Sequence, residues 1–406
     1  MPVISGSSSA YRDDVERPPG GERGDALPAA NVSSLASGIP RVSSVSRLRL
    51  CLLSPSFYGW GRYSGHGRVT RLLGRELARR GARVTAVVAR RHGQREVEEV
   101  DGVRVLGYPA DAPWRALELS RDCDADIYHS QDPSLSTVLA AIARPRRRHV
   151  VTLRDVPPLR ELGRALRVLL PGHPRALLPM LREGNPLRWL AALPADALYC
   201  SSESLLALAR TRLRRRDAGL LPTVVVVPRR VQKSRVPTVC FVGPWERHRR
   251  PERALALAAR FPRVRVIAIG RSPDREHDLE LRREFERHPN LQMLGPVNQF
   301  RSDALSQALS ESWVLVSTAA GRGLPDAFAE GAAHGCAILA DADPDGFASC
   351  FGHHAVHGDL AGGLEALLAG DAWRECGERA HAHALATFDA EVAVRRHVEI
   401  YDGLMA

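Results

Sequence analysis

Three stretches of the sequence bring together residue types that handle anions and diols. In "GRGLPDAFAEGAAHG", residues 321–335, a Gly-Leu-Pro turn runs into a helix and one acid, Glu330, stands among small apolar residues. Such a turn leaves the backbone N–H groups of Gly323 and Leu324 available to an anion at the helix start. About one turn further in, the Glu330 carboxylate can accept two hydrogen bonds from a ribose diol. The ordinary alternative is an acid on the wet face of an amphipathic helix, and the small apolar neighbours argue against it. In "FVGPWERHRRPERAL", residues 241–255, Arg247, Arg249 and Arg250 crowd the carboxyl end of a strand-like run. Guanidinium groups there can clamp a diphosphate bidentately, although a solvated charge run explains them equally well. In "YGWGRYSGHGRVT", residues 58–70, glycines lie between a strand and a helix, where backbone can approach an anion closely. A flexible turn is the plain alternative. A dinucleotide loop is excluded, because the spacing is not GxGxxG and the next strand ends in Ala89-Arg90-Arg91 with no ribose-binding acid.

The elements that must hold these stretches follow one rhythm. "RLRLCLLSPSF" reads as a buried strand, "GHGRVTRLLGRELARRG" as an amphipathic helix closed by Gly81, and "ARVTAVVA" as another strand. "VRVLGYP", "DIYHSQD", a helix through Ala143, "HVVTLRD", "DALYCSS", the helix "ESLLALARTRL" and the run "TVVVVP" complete a first series. A second series opens at "TVCFVG" (238–243) and alternates helices at 251–260, 274–287 and 302–310 with "VRVIAIG", "LQMLG" and "WVLVST". The helix of the first motif, "CAILAD" and terminal helices end it. Strands and helices alternating at this spacing form parallel sheets with right-handed crossovers. Two series predict two Rossmann-like, doubly wound α/β domains facing across a cleft, with ligand loops beyond the carboxyl ends of the strands. Residues 1–46 read as a disordered tail, 47–230 as the first domain, 231–388 as the second, and 389–406 as a terminal helix. Segment 156–194 reads as a poorly patterned insertion with helical stretches.

Bulk properties narrow the class. The chain has 406 residues, 44% hydrophobic and 25% charged, which suits two soluble domains and a tail. No apolar run is long enough to span a bilayer, no secretory leader is apparent, and seven cysteines show no CxxC spacing. A reducing, cytoplasmic setting without a zinc site is expected. The net charge is +11, and Lys233 is the lone lysine among 57 cationic side chains. Codon bias towards arginine explains that most simply. A basic face for phosphate-bearing substrates, or for peripheral contact with an anionic membrane, is the functional reading. Nucleic acid is disfavoured, since no aromatic-interleaved basic patch or helix-turn-helix pattern is present.

Taken in order, these blocks resemble the retaining glycosyltransferases of the GT-B fold, glycosyltransferase family 4, from about Arg47 to Ala406. "VGPWERHRRPERAL" matches that family's "VG…K-[GR]-P-E…AL" block, and "RGLPDAFAEGAAHG" its "EGLPNxxxEAMAxG" block. The resemblance implies that Glu330 binds the nucleotide ribose and that Gly323 and Leu324 present amides to the diphosphate. Arg249 stands for the phosphate lysine, and Gly65 and Gly67 face the donor phosphates from the other domain. No metal or other cofactor is implied, because cations and helix N-termini neutralise the leaving diphosphate. The terminal helix is expected to pack back on the first domain, and a hinge is expected near 229–237.

Three departures alter the site. The place of the block's first acid falls to Arg322 without a gap, or to Ala320 when "GRG" is aligned with two residues inserted; that of the phosphate arginine after "VG" to Pro244, with Arg247 three residues on; and that of the histidine after "VVTL" to Arg154. His129 and Asp155 lie nearby and are candidates to touch sugar or acceptor. The sequence therefore points to transfer of a sugar from a nucleoside diphosphate to an acceptor hydroxyl, with Arg322 and Arg154 pairing an acidic donor or acceptor. A degenerate, non-catalytic nucleotide-binding protein on the same fold is the alternative. An epimerase and a phosphorylase are weaker rivals, the latter because its cofactor lysine has no counterpart except Lys233 in the interdomain segment.

Overall fold

The computed structural model of the chain describes residues 45–61, 65–154, 194–318 and 323–406. The first half runs β1 (Arg49–Leu53), the ribbon β2 (Ser56–Phe57) and β3 (Trp60–Gly61), α1 (Gly65–Arg79), β4 (Arg83–Arg90), β5 (Val97–Val100) and β6 (Val103–Pro109). It continues through α2 (Ala116–Cys123), β7 (Ile127–Ser130), α3 (Leu135–Ala143), β8 (Arg148–Leu153), β9 (Ala197–Cys200), α4 (Glu203–Arg212) and β10 (Gly219–Leu220). Its sheet has the order β10-β9-β8-β7-β1-β4-β6-β5, parallel except where the edge strand β5 runs antiparallel to β6. Because helices cover parallel sheets on both faces, strands such as β7 are buried at every position.

The second half runs β11 (Thr238–Val242), α5 (Pro251–Leu255), α6 (Leu257–Arg260), β12 (Arg265–Ile269), α7 (Arg275–Phe285), β13 (Leu291–Leu294) and α8 (Ala304–Glu311). Then come β14 (Val314–Ser317), α9 (Asp326–Ala333), β15 (Ala337–Ala340), α10 (Phe347–Phe351), β16 (Gly352–His354), α11 (Leu360–Leu368), α12 (Ala372–Thr387) and α13 (Ala390–Met405). Its sheet is parallel throughout, in the order β13-β12-β11-β14-β15-β16. The strand order reverses at β1 in one sheet and at β11 in the other. Ligand crevices open outside the carboxyl ends of strands at such reversals. The loops after β1 and β11 are the glycine stretch and the arginine-rich stretch singled out in the sequence.

Several local expectations change. "TVVVVP" is not a strand: between Pro222 and Pro228, Val225 makes one isolated bridge to Asp389, and the sheet closes instead on the two residues of β10. Prolines at both ends remove the donors a ladder needs. The expected helix 251–260 is two short helices meeting at Ala256. Val45, expected in the tail, is buried in the first core as part of a 3-10 turn, Val45–Arg47. The last helix packs Ala393, Val394, Val398 and Tyr401 into that same core, beside Leu50, Leu73 and Val84. The preceding helix, α12, gives Ala380 and Ala384 to the second core, around Phe328 and Ile338. The chain thus crosses from one half to the other twice.

Candidate functional site

The first motif builds one wall of the crevice. Five side chains of α9, Ala327, Phe328, Ala329, Ala332 and Ala333, are buried, and a Cβ at Gly331 would run into Leu315 of β14. Small residues let the helix lie close on its sheet. Glu330 is thereby carried to the edge of the crevice with a side chain only 13% exposed. Its Oε1 lies 3.4 Å from Nη1 of Arg68, in the first turn of α1, on the opposite wall. The same Nη1 donates to Gln299 Oε1 at 2.8 Å.

The glycines of the site are bare for packing reasons. At Gly67 a Cβ would sit 2.7 Å from Ser56 Oγ, and the Gly67 carbonyl accepts from the Tyr58 N–H at 3.0 Å. Its bareness lets α1 press against the strand before it; Gly65 is the first residue of the helix. At Gly323 a Cβ would overlap the carbonyl oxygen of Arg154, so the turn before α9 rests directly on the end of β8. Leu324 packs, partly buried, against the second core.

Arg154 does not stand open to a substrate anion, as the sequence suggested. Its side chain is 2% exposed, Nη2 donates to Gln131 Oε1 at 2.7 Å, and Nη1 lies 3.5 Å from Asp326 Oδ1. Thr223 donates to the same carboxylate oxygen at 2.8 Å. Burial pulls the Arg154 pKa down, while the carboxylates of Asp326 and Asp132 oppose it. The residue is a clasp between the halves. His129, at the end of β7, is fully buried, with Nε2 2.8 Å from Thr152 Oγ1 and Nδ1 2.7 Å from Tyr401 of α13. Burial first, then neighbouring His397 and Arg154, push it well below the ordinary imidazole range. Its ring holds the terminal helix rather than meeting a sugar.

The arginine-rich stretch faces water. Arg247 is 57% exposed and paired with Glu280 at 2.9 Å and Asp274 at 3.5 Å. Arg249 lies on the same 3-10 turn, its Nε 2.7 Å from Glu246. Arg322, Asp155 and all but the last residue of 156–194 lie outside the described residues.

Sequence reasoning missed the residues that cross the crevice. Besides Arg68, Gln299 and Asp326, these include Tyr58, whose hydroxyl donates to Val297 O at 3.1 Å and whose ring lies 5.5 Å from that of Phe300. Asp345 accepts from the backbone N–H groups of Glu203 and Ser204 at 2.8 Å each, so a carboxylate of the second half caps α4 of the first. One signal was available: Arg68 sits four residues before buried Leu72 on α1, so it shares the apolar face of the helix. Among the described residues no group of three or more His, Cys, Asp or Glu side chains could hold a metal. Among them, too, no helix is long and apolar enough to cross a membrane.

Comparison with known proteins agrees with this geometry. Residues 64–167 match the model of the glycosyl transferase 4-like domain. The chain has the GT-B fold. Sucrose-phosphate synthase from Thermosynechococcus elongatus superposes with a TM-score of 0.65 at 18% identity, over 88% of this chain and 99% of that one. Anabaena HepE, in complex with UDP and glucose, gives 0.63 at 13% identity, over 88% and 100%. WaaG, a glycosyltransferase involved in lipopolysaccharide biosynthesis, gives 0.60 at 13% identity, over 86% and 99%. A search of curated proteins finds no match to the sequence. In GT-B terms, Arg68 and Arg154 come from the N-terminal half of the cleft, and Glu330, Asp326 and Gln299 from the C-terminal half.

Proposed function

We propose that this GT-B protein transfers a sugar from a nucleoside-diphosphate donor to an acceptor hydroxyl, with retention and without a metal. One observation carries the reading: Glu330, the acid the resemblance assigns to ribose, is drawn out of bulk water at the cleft edge, directly behind the Gly323–Leu324 turn. A carboxylate there accepts from the ribose diol, while the turn's amides and Arg249 meet the diphosphate. The bond between the anomeric carbon and the diphosphate oxygen breaks, that oxygen keeps the electron pair, and the acceptor oxygen bonds the same face as its proton passes to the departing diphosphate. Fixed cations and amide dipoles offset the charge on the departing diphosphate, which is the task a metal would otherwise perform. Structures of a similar fold hold UDP with glucose, which supports a nucleotide sugar as donor. The arginine excess suits an acceptor that is acidic or borne on an anionic lipid surface.

Calorimetric titration with UDP, GDP and ADP tests the reading. Glu330→Ala should weaken the nucleotide that binds by about 1–3 kcal/mol, the worth of hydrogen bonds to a charged group. Equal affinity in the mutant rejects the ribose assignment. The anomer of the product, read by NMR, decides retention, and activity that survives a chelator decides metal independence. The second reading, a non-catalytic binder, draws on the Arg154–Asp326 clasp, which closes a part of the cleft where a sugar was expected. Nucleotide binding without hydrolysis or transfer from any nucleotide sugar would favour it.

A further inference from the structure

The two arginines buried between the halves keep different company. Arg154 donates at 2.7 Å to Gln131 and shares Asp326 with Thr223. Arg68 is equally dry, at 3% exposure, yet the carboxylate beside it, Glu330, stands at 3.4 Å. Charge-assisted N–H···O bonds close to about 2.7–2.9 Å when optimal. The same Arg68 Nη1 donates to the neutral Gln299 oxygen at 2.8 Å. Glu330 supplies countercharge without being gripped.

That carboxylate is also the group that must accept the ribose diol if the proposed function is right, and the following inference rests on that reading. Ribose hydroxyls are neutral. When they occupy the Glu330 oxygens, Arg68 shares this countercharge with them, and a dry cation is costly where countercharge is diluted. The ligand that brings the ribose also brings, one bond further along the same molecule, a diphosphate. Of the two cations the resemblance assigns to it in the second half, Arg249 is in place and the other is missing. Pro244 stands where the resemblance places a phosphate arginine. Arg247 is turned to Glu280 and Asp274 in solvent. We propose that Arg68 is a donor-phosphate ligand delivered by the N-terminal half, kept beside Glu330 and Gln299 and passed to the diphosphate when the nucleotide sugar enters. The exchange gives Arg68 the diphosphate in place of a shared carboxylate and couples donor binding to the contact between the halves.

The test compares nucleoside, nucleoside monophosphate and nucleoside diphosphate of whichever base binds (uridine, UMP and UDP; the guanosine and adenosine series alongside). Each is titrated calorimetrically into wild type, Arg68→Gln, Arg68→Lys and Glu330→Gln. Arg68→Gln should lose about tenfold or more in diphosphate affinity while the nucleoside changes little. Arg68→Lys should retain most of the wild-type diphosphate-to-nucleoside ratio, and it serves as the working variant if Arg68→Gln melts early. Glu330→Gln should weaken all three ligands alike. If Arg68→Gln shifts all three equally, in either direction, the arginine is a structural latch and this inference falls while the proposed function stands. If wild type binds none of the series, the proposed function falls and this inference with it.

Discussion

The arginines of the two halves make an instructive contrast. On the loop after β11, Arg247, Arg249 and Arg250 crowd four positions and remain 57%, 28% and 51% exposed. On the other wall, Arg68 and Arg154 stand singly in the sequence and are 3% and 2% exposed. Drying a cation costs several kcal/mol even after relaxation, and drying three neighbours adds their mutual repulsion. A crowded run therefore keeps water and takes acids of its own half as partners. A lone arginine can be buried when tertiary structure brings an acid to it, and both here take that acid from the opposite half. Dense charge catches the eye in a sequence, whereas the buried single charge does more to join the halves.

The largest expected effect sharpens this contrast. Arg154→Ala takes the dry cation away from Asp326 and should cost about 3–5 kcal/mol of stability, read from urea denaturation. A loss under about 1 kcal/mol would break the comparison. The double variant Arg154→Met with Asp326→Leu should recover most of it, because an apolar pair needs no countercharge.

The imidazoles beside Arg154 give the next effect. Burial brings His397 down to about 4 and drives His129 well below its usual value. In the unfolded chain both titrate near about 6.5. Below that pH the unfolded state binds protons that the folded state refuses, so this stability is complete above about 6.5 and is lost as pH falls towards 4. His397 alone accounts for about 3 kcal/mol at the bottom of that window. His334 and His383, also depressed by burial, add to the same slope. Equal denaturation midpoints at pH 7 and pH 5 would show that these rings are not held neutral.

The smallest effect is its own control. Arg247→Ala removes two ion pairs from a mostly exposed side chain and should move stability by no more than about 0.5 kcal/mol. A cost near that of Arg154→Ala would mean that exposure does not separate the two groups.

Much of the architecture was legible. Alternating strands and helices with apolar runs of the right length announced both sheets, and the loops after β1 and β11 fell at the crevice because strand order reverses there. Glu330 was legible for a local reason, its setting among alanines and glycine. The clasps were not. Arg154 and Asp326 are 172 positions apart, and nothing within a helical turn of either names the other. "TVVVVP" misled because β-branched composition measures fitness for a pleated surface, not the presence of a partner strand.

The order of residues, then, determined the two wound sheets, the placing of glycine and arginine loops at their switch points, and an acid embedded in a small-residue helix. These follow from periodicity and local sterics, which act over a few residues. Tertiary structure alone decided which cations are dry, which acid each one meets, and that His129 serves the terminal helix. Burial and countercharge belong to surfaces that exist only once distant segments have packed together.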